Sequence, residues 1–130
     1  MPKTGDTFIT TLKKAHLEWG NYRFTGTRDV IYGEGYLQIP RTDAKRIGIY
    51  NSNHSSSVNT FNCNSADGFL SGVTLKASGS MEAGDVYAKQ FQGSGNLQII
   101  GAWFSHISAK IGDRVKVTWT SPTEIKIEKL

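Results

Sequence analysis

Two polar segments of the sequence carry the side-chain types that proteins use to read DNA. They are NYRFTGTRDVIYGEG and LKASGSMEAGDVYAKQFQGSGN, which begin at Asn21 and Leu75. Arg and Lys contact guanine or phosphate, Gln and Asn pair with adenine, and Asp accepts a hydrogen bond from cytosine. The candidate DNA-binding residues are therefore Arg23, Thr25, Thr27, Arg28, Asp29, Lys76, Ser78, Lys89, Gln90, Gln92, Ser94 and Asn96.

Metal-dependent cleavage of DNA is a second chemistry for which the sequence has suitable residues. Asp113 and the triplet Glu124-Ile125-Lys126 match sites in which carboxylates hold Mg²⁺ and a lysine lies beside the scissile phosphate. However, these residues belong to a segment whose polar side chains alternate outward, as they do on a solvated hairpin. We therefore expect no catalytic residue in this chain and no hydrolysis of DNA with Mg²⁺.

The histidines and the single cysteine are isolated from one another in the sequence. His16, His54, His106 and Cys63 show no spacing typical of catalytic or zinc sites. His54 and Cys63 lie near the two ends of one polar segment. A zinc site has four ligands, and the sequence offers no further two nearby. One cysteine excludes an internal disulfide and fits a reducing compartment. We expect no metal site and no other cofactor.

The elements that would position the DNA-reading residues are mostly strands. From Asp6 to Trp19 the apolar residues recur at helical spacing and Gly20 follows, which predicts one long helix. After Gly20 the period is two, and turn residues separate seven or eight short segments rich in β-branched and aromatic residues. These segments are YRF, DVIY, GYLQIP, TFNC, FLSGVTLKA, NLQIIGAWF, RVKVTW and EIKIEKL. The pattern is typical of a sandwich or an open or closed β-barrel.

The length and composition of the chain fit one globular domain. The 130 residues carry a net charge of +4 and no apolar run long enough to span a bilayer. The N-terminal residues lack the pattern of a secretory signal, so we expect an intracellular protein. A small positive charge permits a polyanionic partner without requiring one. We predict a single domain that covers residues 1–130.

The stretch GYLQIPRTDAKRI predicts a strand that ends at Ile39-Pro40 and turns into a short basic helix. A strand that ends in this way, after a basic loop, resembles the DNA-binding pseudobarrel domains. That family includes plant B3-like domains and the N-terminal effector domains of EcoRII-type restriction endonucleases, to which the order of elements is most similar. The resemblance spans most of the chain, includes the closing hairpin, and has Tyr36-x-x-Ile39-Pro40 as its compact motif.

The resemblance implies a function and a pair of DNA-gripping loops. The N-arm would be Arg23 to Tyr32, the C-arm would lie within Lys76 to Asn96, and both would enter the major groove. Arg23 and Arg28 would then read bases, whereas Lys76 and Lys89 would meet phosphates. The resemblance implies a sequence-specific recognition domain of a restriction endonuclease in the bacterial cytoplasm. Its nuclease domain would lie on another segment or a separate chain.

Two other classes of function remain open from the residues alone. A β-domain that binds carbohydrate or protein also exposes polar loops, and its binding would depend only weakly on salt. The small metal-dependent nuclease described above is the other alternative. Trp19, Trp103 and Trp119 alternate with apolar neighbours, which favours core positions over base-stacking positions.

Overall fold

The computed structural model of the protein describes residues 2–13, 35–50, 59–78, 87–94 and 98–130. These ranges contain seven strands and two helices. The strands are β1 (Thr7–Thr11), β2 (Leu37–Gln38), β3 (Thr60–Ser65), β4 (Val73–Ser78), β5 (Gln90–Gly93), β6 (Arg114–Ser121) and β7 (Glu124–Lys129). The helices are α1 (Arg41–Ile47) and α2 (Ile99–His106). No helix within these ranges is long and apolar enough to cross a membrane.

The strands form one mixed sheet that curls into a nearly closed barrel. Their order is β1-β6-β7-β3-β4-β5-β2, so β1 and β2 flank an unsealed seam. Neighbouring strands pair antiparallel except β3 and β7, which run parallel with Cys63 opposite Ile125. The prediction of a mainly β, barrel-like fold with short helices is thus confirmed. The predicted closing hairpin is also confirmed, as β6 and β7.

The short helix after Pro40 forms as the sequence predicts. Ala44 and Ile47 are buried, whereas Lys45 and Arg46 are exposed, so α1 lies with one apolar stripe on the barrel. The helix ends at Gly48, whose φ of 82° belongs to the left-handed region that favours glycine. The amide of Gly48 donates to the carbonyl of Ala44 and thereby closes the last turn.

The prediction of a long N-terminal helix is wrong for Thr7 to Thr11, which form β1. Phe8, Thr10 and Leu12 are buried while Ile9 is 44% exposed, a period of two. Positions 8 and 12 satisfy both a helical and a strand period, so the apolar pattern alone was ambiguous there. The β-branched residues of TFITT favour the strand, and pairing with β6 provides its hydrogen-bond partners.

The segment NLQIIGAWF was predicted to be a strand, but Ile99–His106 form α2. Its buried residues are Ile100, Gly101, Trp103 and Phe104, a spacing of three and four that marks one face of a helix. A short continuous apolar run fits a buried strand and a buried helix equally well. In the described residues, β5 ends at Gly93 and the next element along the chain is α2, not a strand.

Four aromatic rings from four strands meet at the centre of the barrel. Phe91 lies with ring centroids 5.8 Å from Phe61, 6.1 Å from Trp119 and 6.3 Å from Phe8. All four rings are at most 3% exposed. Because Phe8 belongs to β1 and Phe91 to β5, apolar packing joins the two sides of the seam. The prediction that Trp103 and Trp119 are core residues is confirmed, since both are 0% exposed.

Asp67 ties the turn after β3 to helix α2. Its carboxylate accepts hydrogen bonds from the Ser65 hydroxyl, the Phe69 amide and, at 2.9 Å, the Trp103 indole nitrogen. The hydroxyl of Ser65, followed by the Phe69 amide and the Trp103 indole, holds the pKa of Asp67 below its ordinary value. Phe69 in turn stacks on His106 with ring centroids 4.3 Å apart.

We expect Asp67→Ala to lower the free energy of unfolding by about 1–2 kcal/mol at neutral pH, because the buried Trp103 N–H loses its acceptor. The pKa of Asp67 is lower in the folded protein than in the unfolded chain, where it is about 3.9, so the ionised carboxylate stabilises the fold at pH values above about 3.9. This stabilisation is lost as the pH falls through the folded-state pKa. Denaturant titrations of the wild type and Asp67→Ala from pH 7 to pH 2 should show that the difference between their free energies of unfolding becomes smaller in acid. Glu128→Gln, on the outer face of β7, is the control. A difference independent of pH would contradict this role for Asp67.

Candidate nucleic-acid interface

Four adjacent strands of the sheet contain no carboxylate side chain. Strands β3, β4, β5 and β2 are neighbours in the sheet, and their sequences TFNCNS, VTLKAS, QFQG and LQ contain no Asp or Glu. Burial alternates along β3 and β5, so amides and hydroxyls point outward while Phe61, Cys63 and Phe91 point into the core. This surface can therefore approach a polyanion without charge repulsion from the strands themselves.

The register of β2, β4 and β5 brings four polar side chains together on this surface. Gln90 lies opposite Gln38 of β2 on one side and opposite Ser78 of β4 on the other. Gln92 lies two residues further along β5 on the same face, opposite Lys76. We call Gln38, Ser78, Gln90 and Gln92 the amide row. Each of its members is half-buried.

Hydrogen bonds fix part of the amide row. The Oε1 atom of Gln92 accepts from the Ser78 hydroxyl at 2.9 Å and from Nε2 of Gln90 at 3.0 Å. Both lone pairs of that oxygen are then used, which leaves the Gln92 amide group as a donor. Among the described residues, no partner bonds to the carbonyl oxygen of Gln90 or to its second N–H, so both remain for an external ligand. The row thus offers donors and an acceptor from side chains whose positions are already restrained.

Two lysines flank the amide row. Lys76 is cross-strand from Gln92, and Lys89 immediately precedes Gln90. The ion pairs within the described residues are Arg46 with Asp43 and Lys129 with Asp113, so neither Lys76 nor Lys89 is neutralised by a carboxylate there. Ser94 follows β5, and its amide donates to the carbonyl of Thr74. Lys89 before β5 and Lys76 opposite Gln92 thus place the positive charge of this surface near the two ends of β5.

The structure brings together most of the predicted residues of the second polar segment. Lys76, Ser78, Gln90 and Gln92 lie on two paired strands rather than on a projecting loop, and Lys89 and Ser94 adjoin them. A strand at Gln90–Gly93 was not predicted. The other predicted residues lie outside the described part of the chain; they are Arg23, Thr25, Thr27, Arg28, Asp29 and Asn96.

Sequence reasoning missed Gln38 as a member of this surface. Leu37 and Ile39 are buried on either side of it, so the alternation in YLQIP already predicts that Gln38 points outward. The same alternation in QFQ places Gln90 and Gln92 on one face. What the sequence could not supply is the pairing of β2 with β5, which depends on contacts distant in the chain.

The residues of the alternative nuclease site lie far apart. Asp113 immediately precedes β6 and Glu124 begins β7, whereas the hairpin register pairs Ser121 with Glu124 and Val115 with Lys129. At about 3.3 Å per residue the two carboxylates are separated by about 20 Å. Asp113 instead accepts from the Lys110 amide and lies 3.5 Å from Lys129; these contacts, in that order of weight, lower its pKa. Asp113 and Glu124 therefore cannot share a metal ion.

Cys63 is unsuited to metal binding because it belongs to the core. Its side chain is 0% exposed, and burial raises the pKa of its thiol to about 12. His16 and His54 lie outside the described residues, and His106 stacks on Phe69. Among the residues that the structure describes, no group of three or more His, Cys, Asp or Glu could hold a metal ion.

The chemistry available on the amide row is hydrogen bonding without negative charge. Amides donate and accept, the serine hydroxyl does both, and the flanking lysines only donate. A ligand that fits must offer acceptors over a wide area together with some donors. Comparison of the chain with models of known protein families finds no match, and comparison with curated proteins also finds none.

Proposed function

We propose that this chain is a sequence-specific double-stranded DNA-binding domain in which the amide row contacts base edges in the major groove. The observation that carries the proposal is the hydrogen-bonded set Ser78, Gln92 and Gln90, flanked by Lys76 and Lys89 on strands that contain no Asp or Glu. Amide side chains suit contacts to base edges, and lysines on either side of them suit contacts to the flanking phosphates.

The hydrogen bonds within the amide row divide the roles of its two central glutamines. Gln90 keeps one carbonyl oxygen and one N–H, the pair that a glutamine presents to N6 and N7 of adenine. Gln92 keeps only its N–H₂ donors, so it suits an acceptor such as guanine O6, a purine N7 or a phosphate oxygen. Gln90 is therefore the better candidate for reading adenine.

The lysines supply the part of the interaction that does not depend on sequence. A lysine ammonium is a compact cation with three donors, well suited to a single phosphate. Lys76 and Lys89 lie near opposite ends of the amide row, so they are placed for phosphates on either side of a groove. The net charge of +4 adds a modest long-range attraction for a polyanion.

The rest of the proposal comes from the resemblance to the pseudobarrel effector domains. On that basis the segment Arg23 to Tyr32 is a second DNA contact, the N-arm, and the amide row belongs to the C-arm side. The chain recognises DNA, and cleavage belongs to a nuclease domain on another segment or a separate chain. The cellular site is then the bacterial cytoplasm, with which a single unpaired cysteine is consistent.

Selection from a random duplex library at 50 mM and 200 mM salt tests this function. We expect one enriched sequence, bound roughly 10³-fold or more above random duplex, and a loss of affinity at the higher salt. Retention of duplexes without enrichment would contradict sequence-specific recognition. No retention of any duplex at 50 mM salt would contradict DNA binding altogether.

An open groove favours carbohydrate binding as the second candidate function. Its volume is about 310 Å³, and Thr60, Phe61, Asn62, Thr74 and Thr123 line it. These hydroxyl and amide groups suit a neutral polar ligand, and the volume is at the lower limit for a small-molecule site. Phe61 is 1% exposed, so it offers no ring face to a sugar, which is why we rank this candidate second. Saturable binding to a glycan array, unchanged between the two salt concentrations, would support it.

A further inference from the structure

Helix α1 is fixed against the start of β5. The Ile39 amide, just before the helix, donates to the Lys89 carbonyl, and the Ala88 amide donates to the Ile49 carbonyl just after the helix. Both ends of α1 are therefore hydrogen-bonded to consecutive residues of the chain that leads into Gln90. The helix cannot move far without disturbing the amide row.

An aromatic pair beside α1 restrains one of its lysines. Tyr50 and Tyr87 form an antiparallel bridge, and their rings stack with centroids 5.5 Å apart at 25°. The Nζ atom of Lys45 lies 6.0 Å from the centroid of Tyr87, at the outer limit of a cation–π contact. An aromatic ring attracts an ammonium group electrostatically, but unlike a carboxylate it does not accept conventional hydrogen bonds from the N–H groups. Lys45 is exposed and forms no ion pair within the described residues.

We propose that Lys45, held by the ring of Tyr87, contacts a backbone phosphate of the same DNA whose bases the amide row reads. This inference rests on the proposed function. Lys45 is a direct contact, and Tyr87 is a positioning residue that acts through it. Because the residues that flank α1 are hydrogen-bonded to Ala88 and Lys89, just before Gln90, Lys45 would extend the contact beyond the bases reached from β5.

Two features make a phosphate the appropriate ligand for Lys45. The exposed side chain ends in a strongly hydrated point charge, which suits a phosphate oxygen better than a base edge. Its neighbour Arg46 is already committed to Asp43 at 2.7 Å and to the carbonyl of Thr7 at 2.9 Å. Lys45 thus differs from Arg46 in that an aromatic ring, rather than a carboxylate, lies beside its charge.

The test measures affinity for a fixed duplex, selected from the random library, between 50 and 200 mM salt. Loss of one phosphate contact makes the slope of log affinity against log salt shallower by about 0.9. The ratio of wild-type affinity to Lys45→Gln affinity should therefore fall about 3.5-fold between 50 and 200 mM salt. The control is Lys116→Gln, which removes the same charge from the outer face of β6. It should leave the slope unchanged.

Variants of Tyr87 separate positioning from a structural role. Tyr87→Phe keeps the ring face and should keep the wild-type slope, whereas Tyr87→Leu removes the face and should weaken binding to all sequences. In the Tyr87→Leu background, Lys45→Gln should have a smaller effect than in the wild type. A Lys45→Gln slope equal to the wild-type slope, in a protein that still selects a sequence, would overturn this inference alone. Absence of any duplex binding would overturn the proposed function together with it.

Discussion

Phe91→Ala is expected to lower the free energy of unfolding by about 3–5 kcal/mol, the range for removing a fully buried aromatic side chain. Phe91 is 0% exposed and contacts aromatic rings from β1, β3 and β6. The truncation leaves a cavity between the rings of Phe8, Phe61 and Trp119, and the strands that carry these rings are held by their own ladder hydrogen bonds, so they cannot easily collapse into it. Since small domains are stable by about 5–15 kcal/mol, this one change removes a large fraction of the total.

Chemical denaturation monitored by tryptophan fluorescence measures this effect, because Trp119 lies 6.1 Å from Phe91. Phe69→Ala is the matched control. Phe69 is 45% exposed and lies outside the buried cluster, so its loss should cost much less. Phe91→Leu keeps an apolar side chain and should have an intermediate effect on the free energy of unfolding. It takes the place of the alanine variant in the measurement if that variant does not fold. A loss below about 1 kcal/mol for Phe91→Ala would show that the aromatic cluster does not hold the barrel together.

Local rules predicted the elements whose boundaries the sequence itself marks. Pro40 ends a strand and permits a helix start, and Gly48 terminates that helix, so α1 followed directly from residue types. The β6–β7 hairpin followed from strict alternation on both sides of a Pro122-Thr123 turn. In these segments the periodicity and the turn residues agree.

The errors occurred where periodicity fitted two structures at once. Around TFITT the burial of Phe8 and Leu12 satisfies both periods, so the apolar spacing alone does not decide, and pairing with β6 completes the strand that the β-branched residues favour. In IIGAWF an apolar run is compatible with strand or helix, and packing of Trp103 and Phe104 against the barrel decides for a helix. In both cases the apolar spacing was insufficient, and tertiary contacts show which structure forms.

The candidate site was predictable by residue type but not by geometry. Gln90, Gln92 and Ser78 were chosen because their residue types read bases, and the structure places both Gln90 and Ser78 within hydrogen-bonding distance of Gln92. The sequence did not indicate that β5 exists, that it lies between β4 and β2, or that Gln38 joins the row. Each of these facts depends on strand pairing between distant segments, which composition does not encode.

Gln90→Ala is expected to reduce discrimination for adenine at one position of the selected site by about 1–3 kcal/mol, or about 5- to 150-fold. The carbonyl oxygen and remaining N–H of Gln90 form the pair that adenine requires, and Gln92 restrains the side chain. Binding to random duplex should change little, because Gln90 carries no charge for the phosphates to attract. The measurement compares the variant and the wild type on the selected duplex and on duplexes altered at each A·T pair.

A charge-bearing isostere sharpens the test of Gln90. Gln90→Glu keeps the shape but replaces both N–H donors by an oxygen, so it loses the bond to adenine N7 and can no longer donate to Gln92 Oε1. A carboxylate accepts from cytosine N4, so the residual preference should move towards C·G at that position while overall affinity falls through repulsion from the phosphates. Thr118→Ala, on the outer face of β6, is the control and should retain the wild-type profile. If the alanine and glutamate variants of Gln90 both keep wild-type discrimination at every position, Gln90 does not read a base, and specificity must come from other residues such as Gln92 or the Arg23 to Tyr32 segment.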